Sequence, residues 1–154
     1  MRYGGALALT LVLAGTLAGC GGDGREAQTS LREGVYEYEL SESYLLERGL
    51  PPEQAANENG AHEVTLSDGR FIDRWLNGRG VRGSCWGTYA ESGNGVTFRF
   101  TGGCFGDWSM RYELAGDVVE WSGVKALAPN DGPEEQDVAE VFNGVPWTRV
   151  GDPR

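Results

Sequence analysis

The chain contains one histidine, His62, and three cysteines, Cys20, Cys85 and Cys104. A Ser-His-Asp or Cys-His catalyst would have to be built on that histidine. Asp73 and Trp75 follow it at spacings a hairpin can fold back beside it, which makes the His62/Asp73 pair the acid–base unit the sequence offers. Such a trio more often forms a polar rim where a barrel opens to water. Metal ligation has less support, because His62 has no companion histidine and the later cysteines are better used as a bridge. "NDGPEE", Asn130 to Glu135, lacks the spaced ligands of an EF-hand loop and reads as a solvated turn before a helix. No carboxylate pair is singled out for glycoside chemistry. The residues therefore point to a non-enzymatic protein with no cofactor.

Turns must position these residues. Aromatic and β-branched runs alternate with Gly and Asx signals, the pattern of an antiparallel meander. In "VTLSDGRFI", a two-residue Asp68-Gly69 turn pairs His62 with Trp75, Val64 with Asp73 and Leu66 with Phe71 on one face, and Glu63 with Arg74 on the other. In "YAESGNGVTFRF", an Asn94-Gly95 turn pairs Glu91 with Phe98 and Tyr89 with Phe100. In "WSMRYELAGDVVEW", a Gly116-Asp117 turn sets Leu114 against Val119 and Tyr112 against Trp121. Each register separates apolar from charged residues, and Glu91 is the misfit.

Extending the second register to its open end brings Cys85 opposite Cys104, on the face of Tyr89 and Phe100, with a bulge at Gly102-Gly103 easing the fit. With no Cys-x-x-Cys and no basic neighbour, the pair reads as a structural disulfide, oxidised outside the cytoplasm. Cys20 is then the odd cysteine that needs its own explanation.

"GVYEYEL" alternates Tyr36, Tyr38 and Leu40 with Val35, Glu37 and Glu39, and "PWTRV", Pro146 to Val150, supplies a closing strand. A short helix runs from an N-cap at Ser41 to Gly49, ahead of Pro51, and a second spans Pro133 to Phe142. The expected fold is all-β: a roughly eight-stranded antiparallel up-and-down lipocalin-like barrel with one or two short helices. Closure covers the apolar face of the sheet and removes its edges.

The apolar run from Ala6 to Ala18 falls short of the roughly 20 residues a spanning helix needs. With Arg2 before it and small residues after it, it reads as a secretory signal. Leu17-Ala18-Gly19-Cys20 resembles the lipobox of bacterial lipoproteins. That resemblance implies cleavage before Cys20, diacylglycerol on its sulfur and an acylated amine, which together anchor stably. The chain then divides into a signal peptide (1–19), a flexible tether (20–32) and one barrel domain (33–151) at the extracytoplasmic face of the cell membrane. With 13 Lys and Arg against 23 Asp and Glu, the net charge of −10 repels nucleic acid.

"SDGRF", "GTYAESGNGVTFRF", "WSMRYELAGDVVEW" and "VPWTRV", in that order, resemble a lipocalin-like β domain of actinobacterial lipoproteins, in some of them appended to solute-binding proteins. The resemblance covers roughly Gly34 to Val150 and implies the barrel fold. It carries over no catalytic residue, and the Gly-x-Trp that opens true lipocalins is Gly34-Val35-Tyr36 here. Two functions fit. The first is binding of a small apolar or aromatic ligand lined by His62, Asp73, Trp75, Tyr89, Tyr36 and Tyr38, favoured by the inward polar pair. The second is a filled barrel serving as a surface protein-interaction or structural module. A cavity of about 300 Å³ or more separates them.

If Cys20 is the lipid site, the mature protein partitions into the detergent phase, and Cys20→Ser releases it or leaves it unprocessed. Unchanged processing and partitioning of the mutant removes the anchor.

Overall fold

Alternating apolar and polar residues resolve into a closed barrel. The computed structural model describes residues 30–104, 106–129 and 131–153. Its strands are β1 (Gly34–Leu40), β2 (Gly60–Ser67), β3 (Arg70–Asn77), β4 (Arg82–Ser92), β5 (Gly95–Gly102), β6 (Asp107–Ala115), β7 (Val118–Leu127) and β8 (Trp147–Gly151). Each pairs antiparallel with the next, and β8 closes on β1. The signal segment and Cys20 lie outside the described residues. Leu31 and Arg32, expected in the tether, are seated on the barrel. Leu31 is 4% exposed and its N–H donates to the Glu91 carboxylate at 2.9 Å, while Arg32 reaches Asp117 at 3.4 Å.

The first hairpin has the register its turn dictates, with His62 facing Trp75 and Val64 facing Asp73, and the third keeps it from the turn through Tyr112–Trp121 to Arg111–Ser122, beyond which a bulge shifts the pairing by one residue. The second differs. Its turn residues are Gly93-Asn94, so Ser92 pairs with Gly95 and Tyr89 with Phe98. Gly93, at φ 61°, takes the first central position of the turn, where a type II′ geometry favours glycine. That geometry overrides the Asn-Gly signal because the new pairing leaves every residue on its original face. It also moves Glu91 to the rim, opposite Val96, where its carboxylate accepts from Leu31 and from the Tyr112 hydroxyl at 2.6 Å. A register shift between Trp86 and Gly87 then brings the Cα atoms of Cys85 and Cys104 to 5.3 Å, disulfide distance. Closing this 19-residue separation is worth about 3 kcal/mol in loop entropy.

Three helices stand at the end of the barrel opposite these turns. α1 (Glu42–Glu47) is capped by Ser41, whose hydroxyl accepts from the Tyr44 N–H. α2 (Pro52–Glu58), not anticipated from the sequence, begins where Pro51-Pro52 reads as a terminator; Pro52 instead occupies the first turn, where its missing N–H costs nothing. α3 spans Pro133–Asn143. Leu40, Leu45, Ala55, Val141 and Val145 form an apolar cluster that joins these helices to β1, and the Tyr44 hydroxyl donates to the Val141 carbonyl at 3.0 Å.

Three ladders are cut short toward this helical end, and β1 and β8 pair only at Val35–Gly151, Tyr36–Arg149 and Glu37–Thr148. β5 and β6 pair only from Gly95–Arg111 to Phe98–Trp108, and β7 and β8 only at Val118–Thr148 and Val119–Trp147. Side chains take over where the strands part. The Asp107 carboxylate accepts from the Phe100 N–H at 3.1 Å and from Arg99 at 2.9 Å. On α3, Gln136 uses both ends of its amide: Oε1 accepts from the Ala126 N–H at 2.9 Å and Nε2 donates to the Val124 carbonyl at 2.8 Å. One side chain thus satisfies a donor and an acceptor of the open β7 edge.

Removing that amide in Gln136→Ala leaves two part-buried backbone groups unmet and is expected to cost about 1–3 kcal/mol in a urea melt. Gln136→Glu, which sets a carboxylate against the Val124 carbonyl and the Glu140 carboxylate that the amide now serves, should cost at least as much. An unchanged midpoint in Gln136→Ala would show that water serves this edge equally well.

Candidate functional site

The barrel interior has a filled end and a hollow end. At the turn end, Tyr36, Leu66, Val96, Phe98 and Tyr112 pack in one apolar cluster with Leu31. Tyr36 is 1% exposed and donates its hydroxyl to the Arg32 carbonyl, and Tyr89 packs on Phe98 with ring centres 6.1 Å apart. Tyr36 and Tyr89 were expected to line the ligand space, but neither borders the cavity described next. Strand direction places both at the end that Leu31 and Glu91 close.

At the helical end lies a cavity of about 390 Å³. Tyr38, His62, Asp73 and Trp75, all expected from the sequence, border it on one side. Phe98, Phe100 and Trp108 form the opposite wall beside Cys85 and Cys104. Val138, Phe142 and Asn143 of α3 and Glu58 of α2 cover it. A second depression of about 900 Å³ lies largely on the outward face of β1 to β4, bordered by Glu37, Glu39, Glu63 and Arg74. It shares Tyr38, His62 and Trp75 with the cavity but is more open to solvent, so the cavity is the better small-molecule site.

The polar heart of the cavity is a three-residue unit. His62 Nδ1 is 3.2 Å from both oxygens of Asp73, and the Tyr38 hydroxyl donates to Asp73 Oδ2 at 3.3 Å. A carboxylate only accepts, so this contact assigns the proton to Nδ1. Cross-strand pairing explains the assembly: His62 faces Tyr38 on one side and Trp75 on the other, and Asp73 is one inward position along β3. The rings stack as they pair. Tyr38 and His62 lie 4.3 Å apart at 15°, Tyr38 and Trp147 5.5 Å apart at 9°, and His62 and Trp75 6.0 Å apart at 26°. One tier of rings therefore runs across β3, β2, β1 and β8. Gly83 makes room for it, since a Cβ there would sit 2.1 Å from the Trp75 ring.

Burial pushes the Tyr38 phenol well above its ordinary value, and the charge of Asp73 and the hydrogen bond to it add to the shift. Tyr38 therefore remains a neutral donor to Asp73. At the filled end, burial and then the hydrogen bond to Glu91 raise Tyr112 to about 12, and burial with the charges of Glu33 and Glu91 raises Tyr89 to about 12. The His62, Asp73 and Tyr38 unit can orient a ligand and exchange hydrogen bonds with it. Among the described residues, no three His, Cys, Asp or Glu side chains converge to hold a metal ion.

Sequence reasoning missed the cover of the cavity. Val138 and Phe142 follow helical spacing, four apart, so an inward face of α3 was open to recognition. What that face would meet was not. Glu58 had no signal, because α2 itself was unforeseen.

Fold and cavity together define a class, the closed up-and-down β-barrel with an aromatic-walled interior space. Comparison with protein-family models, with curated proteins and with solved structures finds no match in any of the three.

The raised tyrosines make stability sensitive to alkali. Each phenol ionises more readily in the unfolded chain than in the barrel, so its contribution is fully present below pH 10 and is lost as pH rises through the raised folded-state value, about 12 for Tyr89 and Tyr112. Urea midpoints should hold steady up to about pH 9.5 and then fall, with tyrosinate absorbance appearing alongside unfolding. Free titration of all tyrosines near pH 10 in the folded protein would contradict this.

Proposed function

We propose that this protein is a non-enzymatic binding protein that holds a small apolar or aromatic ligand inside its barrel. In this reading it works at the extracytoplasmic face of the membrane, anchored through a lipid on Cys20, and is kin to the β domains of actinobacterial lipoproteins. The observation that carries the binding role is the cavity of about 390 Å³, above the roughly 300 Å³ at which small-molecule sites begin. Its rings offer apolar area, and the His62, Asp73 and Tyr38 unit offers orientation. The location is supported by the lipobox-like Leu17 to Cys20 and by a cysteine pair at disulfide distance, which suits an oxidising compartment.

Titration with N-phenyl-1-naphthylamine, a neutral fluorophore, should show saturable one-to-one binding. Trp75→Ala should weaken it while costing little stability, because Trp75 stands at the mouth. Trp121 is the control: its ring lies 4.7 Å from Trp147, 6.1 Å from Tyr112 and 6.3 Å from Phe98. Trp121→Ala should cost about 3–5 kcal/mol. No probe binding, with Trp75→Ala as destabilising as Trp121→Ala, would leave the filled interaction module as the function.

A further inference from the structure

Charge around the cavity is one-sided. Apart from His62, the described side chains with formal charge that border it are Asp73 and Glu58, and among the described residues no Arg or Lys does so. The same strands carry Arg74, Arg82 and Arg99, but at outward positions where all three are exposed. The remaining wall is largely aromatic, with Tyr38, Trp75, Phe98, Phe100, Trp108 and Trp147. Ring faces carry the negative lobe of the aromatic quadrupole, so they favour a cation as the carboxylates do. Asp73 accepts from two donors, His62 and Tyr38. A carboxylate has about four acceptor sites, so it retains lone pairs that attract a cation whether or not that cation carries an N–H. A purely apolar ligand would leave those lone pairs idle in a space with low dielectric. An anion would meet repulsion from Asp73, Glu58 and the ring faces together.

We infer that the occupant of this cavity is an organic cation, an ammonium group on a compact or aromatic body, with its nitrogen held near Asp73 and its body among the rings. This rests on the cavity being a ligand site. His62 and Tyr38 then act as positioning residues, since their hydrogen bonds fix the carboxylate that meets the charge. Glu58, at the covering helix, adds field at the entrance without a fixed contact.

The test uses the intact protein and two molecules of one shape, phenyltrimethylammonium and its uncharged isostere tert-butylbenzene, with benzenesulfonate as the anionic counterpart. Binding is read by calorimetry and by quenching of tryptophan fluorescence. Phenyltrimethylammonium should bind about tenfold or more tighter than tert-butylbenzene, as a desolvated cation–π and carboxylate contact implies, and benzenesulfonate should bind weakest. Asp73→Asn should abolish the preference while tert-butylbenzene still binds, and the exposed Glu58→Gln should reduce it by a smaller factor. The wild-type comparison is decisive even if Asp73→Asn fails to fold, and added salt should weaken the cation and spare the isostere. Equal or tighter binding of tert-butylbenzene overturns the cation assignment and leaves the cavity as a binding site. Binding of none of the three probes overturns both.

Discussion

A closed barrel must give every backbone N–H and C=O around its circumference a partner, and here three of the eight seams run out of partners at the same end. Much of the remaining architecture answers that shortage. Asp107 serves the β5 edge and Gln136 serves the β7 edge, so three backbone groups keep partners where the strands part. Because Gln136 belongs to α3, the same hydrogen bonds that satisfy β7 hold the helix across the gap. The cavity is the space that parting opens and α3 covers.

The two ends of the barrel solve the same burial problem in opposite ways. At the turn end, Leu31 enters the core and Glu91 clasps both its N–H and the Tyr112 hydroxyl, so apolar side chains fill the interior. At the helical end a carboxylate, an imidazole and a phenol stand inside the rim instead. Their burial is tolerable because Asp73 receives donors from both neighbours, and because His62 and Tyr38 also stack on aromatic faces. The unit is held together by its own members and borders the cavity.

Much of this was legible in short stretches of sequence. Asp68-Gly69 and Gly116-Asp117 fixed the His62–Trp75 and Tyr112–Trp121 pairs, because a two-residue turn sets cross-strand partners by counting as far as the first bulge, which in the third hairpin lies between Ser109 and Arg111. Ser41 and Gly49 bounded α1 by local capping chemistry. The second hairpin shows the limit of counting. Gly93 and Gly95 flank Asn94, and either glycine can serve a tight turn; the choice rested on where Glu91 would find partners. Those partners, Leu31 and Tyr112, lie far away in sequence. The expected cysteine pairing survived because the bulge near Trp86 offset part of the shift in register.

By itself the sequence determined what local rules determine: the strands, the faces of their residues, the caps of α1, and the pairing of His62 and Asp73 within one hairpin. Period-two alternation and turn stereochemistry act over a few residues and need no knowledge of the whole. Only the tertiary structure decided which inward residues were core and which were lining. Tyr36 and Tyr38 share a strand and a face, yet one is sealed beneath Leu31 and Arg32 while the other looks into open space. That difference comes from where the seams part and where α3 comes to rest, and both depend on closing a ring of strands contributed by the whole domain.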